Sequence, residues 1–456
     1  MDERAVEPSR RQFTAWLEVF NSGDRDRCAE FLADRFPSRL KSLNMVMAFR
    51  ERTGGLDLRK LERVSATEVA VLVQERDSDQ FFRVELTVDA TTEPQVITSL
   101  TLAAVPRPAE FPIARLTENE AITGIQAVLR EAAAADRFSG AVLLERNGQA
   151  LFSRACGMAD RDRGIPNTLQ MRFRIGSMNK MFTAVAVLQL AAAGKVELTV
   201  PLGEYLTGYR NRDVAAKVTI HHLLTHTGGT GDIFGPQFRA QRLELRTLED
   251  YVQLYGDRGP EFEPGSRWQY SNYGYILLGV LIEKVTGQTY YDYVHAHIYE
   301  PAQMTATGSQ PEHQTVPGLS VGYTKPPGTA SWVPNIDTLP YRGTSAGGGY
   351  STAGDLARFA RALLGHQLLR PDYTQMLITG KAELGPGARY AYGFADLRNT
   401  DGNGSVGHGG GAPGMNGDLR IYPQSGYIMV VLANVDPPAA DRIAEWLDAR
   451  LPSGRA

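Results

Sequence analysis

The stretch FRIGSMNKMFTAVAVLQLAAAGK, residues 173–195, decides the fold of this chain. After Lys180 it is apolar in almost every direction, which is typical of a helix buried on all sides in a core. The pattern predicts a helix over 178–193, closed by Gly194. Ser177 and Lys180 lie three residues apart and share a face of its first turn. Because a buried lysine is costly unless it is paired or used, this turn is a candidate reactive site.

A serine hydroxyl becomes an effective nucleophile only when a neighbouring base takes its proton. A desolvated Lys180 can titrate low enough to act as that base, and Gly176 permits a tight turn that leaves Ser177 accessible. The Ser-x-x-Lys pattern alone is weak, because Ser38 and Lys41 match it in what reads as a surface helix. An N-capping serine with an outward lysine is the structural alternative.

A second element is FEPGSRWQYSNYGY, which contains Tyr270-Ser-Asn272. The phenol could relay or accept the serine proton, and the amide could hold Lys180 or a substrate carbonyl. Another Tyr-x-Asn, residues 209–211, lies in a charged loop, and we interpret it as a chance match.

The third element is VGHGGGAPGMNGDLRIYP, in which three glycines follow His408. Glycines let a backbone approach a bound substrate closely. The amide N–H groups of Gly411 and Ser177 could together form an oxyanion hole. A glycine loop that feeds a hairpin is the alternative for this element taken alone.

Ser177-Met-Asn-Lys180, Tyr270-Ser-Asn272 and His408-Gly-Gly410, in this order, resemble the three motifs of the serine β-lactamase and penicillin-recognising superfamily. The tyrosine form of the second motif is similar to the class C branch, which also includes DD-peptidases, D-aminopeptidases and family VIII carboxylesterases. HHLLTHTGG and TSAGGGYSTAGDLARFA are also like that branch, and the resemblance covers roughly 118–450.

The resemblance implies that Ser177 is the acyl-forming nucleophile and that Lys180 and Tyr270 share the acid–base work. Asn272 would position lysine and substrate, and His408, Gly410 and Gly411 would line the substrate and oxyanion site. It implies no cofactor and no metal.

The third motif departs from the Lys-Thr-Gly of class C β-lactamases towards the histidine of peptidases and esterases. The implied function is a carboxylesterase for small or medium acyl esters with weak β-lactam hydrolysis. DD-peptidase, D-aminopeptidase or β-lactamase activity and a non-catalytic penicillin-recognising binding protein are the alternatives. The expected partner is a small ester, amide or β-lactam substrate.

A competing nucleophile is Ser345, since residues 343–347 fit the Gly-x-Ser-x-Gly elbow of α/β-hydrolases and His408 follows downstream. That elbow requires a buried strand before the serine and a helix after it. The preceding VPNIDTLPYR is polar and broken by proline, so we predict a tight loop near the site instead.

Histidines elsewhere have structural interpretations. His222 and His226 are four apart, as in some metal sites, and His221 precedes them, but no glutamate lies between the pair. We predict structural roles and no metal. His295 and His297 do not share a helix face and are predicted to be exposed.

Residues 1–105 read as a small α+β domain, 106–116 as a proline-rich linker, and 117–456 as the hydrolase domain. Helices are predicted near 13–20 and over 38–51, and strands near 69–76, 81–89 and 96–105. This domain weakly resembles ketosteroid-isomerase-like domains, which implies an accessory module. The alternative, that it is itself an enzyme, requires a set of polar residues inside its cone-like pocket.

In the hydrolase domain, Thr117 and Glu120 form a capping box that opens a helix to about 136. Asn147-Gly148 predicts a hairpin, GYIMVVLAN a buried strand, and AADRIAEWLDARL a last helix. The order predicts an α/β fold: one antiparallel sheet with strands from both ends of the domain, flanked by helices, with an inserted helical subdomain.

Composition excludes several classes of function. The chain has 456 residues, 43% hydrophobic and 22% charged, as in ordinary globular proteins. A net charge of −3 without a long basic run argues against nucleic-acid or anionic-membrane partners. Cys28 and Cys156 are predicted to be buried or half-buried thiols rather than a disulfide framework or zinc site. No bilayer span or signal core is found, so we expect a cytoplasmic protein, or a periplasmic or secreted one if an export signal has been removed.

Overall fold

The computed structural model describes residues 7–89, 91–92, 94–326, 329, 331–398 and 404–453. The chain forms two compact units, which are Met1–Ala114 with Lys325–Trp332, and Arg115–Thr324 with Val333–Ala456. None of the described helices has both the length and the apolar character needed to cross a membrane.

The described residues of the first unit form helices and one four-stranded antiparallel meander in the order β1-β2-β3-β4. The elements are α1 (Pro8–Ser22), α2 (Arg25–Arg35), α3 (Leu43–Thr53), β1 (Leu56–Val64), β2 (Glu68–Glu75), β3 (Phe81–Asp89) and β4 (Val96–Val105).

The spacing of apolar residues in α1 predicts which of its side chains are buried in the core of this unit. Phe13, Trp16 and Phe20 are buried on one face of α1, as predicted, and Gly23 ends the helix with φ 69°. The predicted helix over 38–51 is instead a 3₁₀ turn, Pro37–Ser42, followed by α3.

Two elements of the first unit were not predicted. In α2 only Cys28 and Leu32 are buried, so the helix shows no apolar stripe, and it depends on its cap Asp24, whose carboxylate accepts two backbone N–H groups. Strand β1 is an edge strand in which Leu56 alone is buried. Neither segment carries the hydrophobic period on which the prediction rests.

The described part of the second unit is built on an eight-stranded antiparallel sheet in the order β13-β14-β15-β16-β17-β18-β5-β6. Its strands and the short bridges are β5 (Gly140–Arg146), β6 (Gln149–Cys156), β7 (Met158–Asp160), β8 (Ile165–Pro166), β9 (Phe173–Arg174), β10 (Tyr323–Thr324), β11 (Val333–Pro334), β12 (Tyr350–Ser351), β13 (Ala382–Gly385), β14 (Ala388–Tyr390), β15 (Ala395–Arg398), β16 (Gly404–Ala412), β17 (Met415–Ile421) and β18 (Tyr427–Ala433). Its helices are α4 (Glu118–Ala134), α5 (Asn179–Ala192), α6 (Arg212–Lys217), α7 (Ile220–Leu224), α8 (Pro236–Gln241), α9 (Leu248–Tyr255), α10 (Asn272–Thr286), α11 (Tyr290–Val294), α12 (Ala353–Leu364), α13 (Pro371–Ile378) and α14 (Ala439–Arg450).

The predicted sheet is confirmed, because β18 from the late part of the chain pairs with β5 from the early part. The β5–β6 hairpin turns at Asn147 and Gly148, both with positive φ, as a tight two-residue turn requires. Helices α6 to α11 form the predicted insert between β9 and β10.

The helices predicted from a capping box and from an apolar run are also confirmed. Thr117 and Glu120 form the capping box of α4. In α5 every residue from Lys180 to Leu188 is buried, and Gly194 follows with φ 69°. The first eleven residues of α10 are likewise buried, and α10 packs against α5. These two helices form the centre of the core beside the sheet.

Candidate active site

Ser177 lies just before α5, in a short 3₁₀ turn over Gly176–Met178. Gly176 has φ 52°, a left-handed conformation that glycine adopts without strain. The turn leaves Ser177 half-buried, whereas Lys180, one turn later, is 0% exposed. The Lys180 Nζ lies 3.1 Å from the Ser177 Oγ.

Lys180 has three polar neighbours, and their chemistry orients its nitrogen. Nζ lies 2.7 Å from Asn272 Oδ1 and also donates to the carbonyl of Ala346. Carbonyl oxygens only accept hydrogen bonds, so a neutral amine donates its two N–H groups to them. Its lone pair then points at the hydroxyl of Ser177, which is the geometry of a general base.

The protonation state of Lys180 fits this geometry. Burial lowers the pKa of the Lys180 ammonium to about 7, and the carboxylate of Asp232 opposes the shift. Burial thus makes the neutral, proton-accepting form of Lys180 accessible near neutral pH.

Tyr270 is the second group on the serine. Its hydroxyl is hydrogen-bonded to Ser177, and its ring centre lies 4.7 Å from the Lys180 Nζ. Burial raises the pKa of the Tyr270 phenol, so the phenol is neutral and can donate a proton.

Asn272 begins α10 and connects the lysine to a carboxylate. Its Nδ2 donates to both oxygens of Asp232, at 3.0 and 3.2 Å, which turns Oδ1 towards Lys180. Sequence reasoning missed Asp232, because it lies in an irregular loop after α7 and matches no motif. Only the fold brings it to Asn272.

The glycines of β16 lie against the turn that carries the serine. A Cβ added at Gly410 would lie 2.0 Å from the Ile175 carbonyl oxygen and 3.1 Å from the Ser177 nitrogen. A Cβ added at Gly176 would lie 3.2 Å from the Gly411 nitrogen. The backbone nitrogens of Ser177 and Gly411 thus belong to two segments in close contact, as two donors of an oxyanion hole must.

We expect Gly410→Ala to lower kcat/KM for p-nitrophenyl butyrate by about 100-fold, because the new methyl group must displace the Ile175 carbonyl and with it the serine turn. Gly409→Ala is the matched control, since its Cβ would meet only the Gly417 carbonyl oxygen, at 3.5 Å. Equal kinetics for the two variants would contradict the prediction.

His408 is held by a chain of buried rings. The Tyr390 hydroxyl lies 3.0 Å from His408 Nε2 and 3.0 Å from His226 Nε2. The backbone N–H of Ser271 donates to His226 Nδ1, and His408 Nδ1 lies 2.5 Å from the Gly409 carbonyl. Since His226 Nδ1 accepts from Ser271, its Nε2–H donates to Tyr390, and since His408 Nδ1 donates to the Gly409 carbonyl, its Nε2 is left as an acceptor. The Tyr390 hydroxyl, which is also hydrogen-bonded to Tyr275, is the donor that faces His408 Nε2.

This network keeps His408 uncharged. Burial, reinforced by the charge of Lys180, lowers the pKa of the His408 imidazole to about 4. Burial also lowers the pKa of His226 well below its usual value. Both imidazoles are therefore neutral at pH 7.

We expect Tyr390→Phe to lower the free energy of unfolding by about 1 to 3 kcal/mol, since it leaves ring nitrogens of the buried His226 and the half-buried His408 without their partner. A loosened His408 should also lower kcat/KM by about 10-fold. Thermal melting and ester kinetics measure the two effects. Tyr392→Phe is the control, because the Tyr392 hydroxyl bonds His221 Nδ1 instead. A Tyr390→Phe enzyme with the stability and kinetics of the control would refute this role.

The structure also shows the surroundings of Ser345, the competing candidate for the nucleophile. Ser345 is 0% exposed, its Oγ has no hydrogen-bond partner among the described residues, and it lies against Gly279. Its loop is a tight turn closed by Thr344 and Gly347, as predicted, and it contributes the Ala346 carbonyl to Lys180.

The other histidines have structural contacts. His222 completes the capping box of α7 with Thr219. His295 and His297 are exposed. Within the described ranges, no cluster of three or more His, Cys, Asp or Glu side chains is arranged to hold a metal ion. Cys28 is buried and Cys156 half-buried, and both are free thiols.

A buried lysine–serine pair at the start of a central helix, beside an antiparallel sheet, defines a class of serine hydrolase. The β-lactamase family matches residues 125–452, and the chain belongs to this family. Its fold is that of a solved penicillin-binding protein from Bacillus halodurans, with 34% identity and a TM-score of 0.65 over 70% of this chain and 97% of that one.

Two further relatives have hydrolytic names. Esterase EstB from Burkholderia gladioli is 30% identical over 324 residues, which cover 63% of this chain and 82% of EstB. A solved D-stereospecific amidohydrolase from a Streptomyces species has 29% identity and a TM-score of 0.61, over 71% of this chain and 97% of that one. This chain is accordingly a hydrolytic enzyme.

Proposed function

We propose that this enzyme is a carboxylesterase that acts on small or medium acyl esters through an acyl-enzyme at Ser177. The observation that carries the proposal is the neutral, fully hydrogen-bonded His408 on β16, beside the lysine–serine pair. The relation to EstB supports the same reaction class.

In acylation, the Ser177 Oγ attacks the ester carbonyl carbon while its proton passes to the Lys180 Nζ. The oxyanion accepts hydrogen bonds from the backbone N–H groups of Ser177 and Gly411. As the carbon–oxygen bond to the alcohol breaks, Tyr270 donates its proton to the leaving alkoxide and recovers one from Lys180. The products of this step are the free alcohol and the Ser177 ester.

In deacylation, a water molecule replaces the alcohol. Lys180, again neutral, acts with Tyr270 to take the water proton as the oxygen attacks the acyl carbon. The bond to Ser177 Oγ breaks, the serine regains its proton, and the carboxylic acid leaves. Asn272, fixed by Asp232, keeps the Lys180 nitrogen on the serine through both steps.

The charge of the third motif favours esters over β-lactams and peptides. A β-lactam or a peptide ending in D-alanine carries a carboxylate next to the scissile bond, and a cation on the enzyme would stabilise it. His408 is neutral at pH 7 and both of its ring nitrogens are occupied. An ester with an uncharged acyl group needs no such cation.

The test compares kcat/KM for p-nitrophenyl butyrate, butyryl p-nitroanilide and nitrocefin. We expect the ester to exceed nitrocefin by about 10- to 100-fold or more, the value of one charge-assisted contact. His408→Lys should narrow that ratio and His408→Gln should not, because only the first supplies a cation. A wild-type preference for nitrocefin or the anilide would replace the esterase by a β-lactamase or an amidase.

A non-catalytic penicillin-recognising protein is the alternative of another class. A fluorophosphonate probe should label Ser177 in the wild-type chain, and peptide mass spectrometry would locate the adduct. Absence of labelling together with absence of ester turnover would favour the binding protein.

A further inference from the structure

A cavity of about 580 Å³ lies within the first unit, between its helices and β4. This volume is in the range of small-molecule sites. Its walls are mostly apolar, and they include the buried side chains of Trp16, Phe20, Phe36 and Leu100 and the half-buried Phe49.

The charged side chains on this cavity are all of one sign. Arg39 and Arg52 line it, and their guanidinium carbons lie 6.0 Å from the Phe36 ring and 5.3 Å from the Phe49 ring. No carboxylate lines the cavity, and neither arginine has an ion pair within the part of the chain that the structure describes. An apolar cavity lined by two guanidinium groups without a carboxylate partner is complementary to an anion with an apolar body.

A neighbouring cavity in the same unit provides a contrast. It measures about 600 Å³, and its lining mixes Arg11, Arg27 and Arg35 with Glu30 and Asp34. Within this lining, Arg35 forms an ion pair with Asp34, at 2.6 Å. The single-sign lining is therefore a property of the apolar cavity and not of this unit's surface in general.

The same lining excludes an acid–base catalytic site in the apolar cavity. Among the described residues that line it, the polar groups are Arg39, Arg52, the indole of Trp16 and the hydroxyls of Ser42 and Thr101. None of these groups titrates near neutral pH. The polar set that an enzyme would need in this pocket is thus not present, whereas the groups needed to bind an anion are.

We propose that this cavity binds an amphiphilic carboxylate such as a medium-chain fatty acid. The alkyl chain lies against Trp16, Phe20 and Leu100, and the carboxylate lies between Arg39 and Arg52, where Ser42 or Thr101 can donate a further hydrogen bond. The ligand is held without chemical change. This site is independent of the esterase proposal, because all of its residues belong to the first unit.

Trp16 provides a direct reporter for the test. A bromine-bearing fatty acid should quench tryptophan fluorescence of the full-length protein in a saturable way. Trp16→Phe should remove that quenching although Trp268, Trp332 and Trp446 remain. Prior reaction of Ser177 with a fluorophosphonate should leave the quenching intact, which separates this cavity from binding of a product at the active site.

The two arginines test the charge argument. Decanoate should displace the brominated probe at least about 10-fold more tightly than decanol, and the double variant Arg39→Gln, Arg52→Gln should abolish that difference. Lys41→Gln, an exposed cation on the same 3₁₀ turn that does not line the cavity, is the matched control. Both arginines are exposed, so the double variant should keep the melting temperature of the wild type. Equal affinity for decanol and decanoate, an unaffected double variant, or quenching that survives Trp16→Phe would each overturn the proposal.

Discussion

Ser177→Ala is expected to lower kcat for p-nitrophenyl butyrate by about 10,000-fold or more. The substitution removes the oxygen that would form the acyl-enzyme, and Lys180 and Tyr270 cannot supply another nucleophile from their positions. Steady-state kinetics measure the loss, and intact-protein mass spectrometry after rapid quenching should detect no acyl adduct on the variant.

Ser345→Ala is the matched control, because it tests the other serine that a motif singles out. Its hydroxyl is buried and has no partner among the described residues, so its removal should leave kcat unchanged and the melting temperature equal or slightly higher. Loss of activity in Ser345→Ala, with Ser177→Ala still active, would reverse the assignment of the nucleophile.

The pH dependence of kcat/KM is expected to show one rising limb with an apparent pKa near 7. Burial lowers the pKa of the Lys180 ammonium to about 7, and only the neutral amine can take the serine proton. Activity should therefore fall about tenfold per pH unit well below pH 7 and reach a plateau above pH 8. The pKa of His408, lowered by burial to about 4, places its titration outside this range.

Substitutions identify the side chain whose titration causes the rise of kcat/KM with pH. Lys180→Arg keeps the charge, removes the base, and should lower kcat/KM by about 1,000-fold across the whole range. Asp232→Asn removes the carboxylate that raises the lysine pKa, so the limb should move to lower pH. Lys381 is the control, since burial lowers its pKa to about 8 and its amine donates to the Thr379 carbonyl. A limb that moves with Lys381→Met, and not with Asp232→Asn, would exclude Lys180 as its origin.

Much of the fold could be predicted because its signals are local. The apolar run of α5, the capping box at Thr117 and the Asn147-Gly148 turn each specify structure within a few residues. The sequence does not predict strand β1 and helix α2, because they lack such local signals. Their side chains are mostly exposed, so tertiary packing and a single cap hold them rather than a hydrophobic period.

The residues of the candidate site also differ in whether the sequence predicts their contacts. Ser177 and Lys180 are neighbours through helix geometry alone, so their spacing predicts their contact. Tyr270 and Asn272 come from a distant segment, so spacing does not predict their contact with Lys180, although their chemistry and the resemblance of motifs single them out. Whether these residues catalyse ester hydrolysis stays a prediction for the experiments above.

By itself, then, the sequence determined the family, the central helix and the residue types that carry the proposed chemistry. Only the tertiary structure decided which groups set their charge and orientation. Asp232 orients the amide of Asn272, the Ala346 carbonyl accepts a hydrogen bond from Lys180, and Tyr390 joins His226 to His408. Each of these contacts joins different segments of the chain, and burial shifts a pKa only once the fold has excluded water. No local pattern encodes either effect.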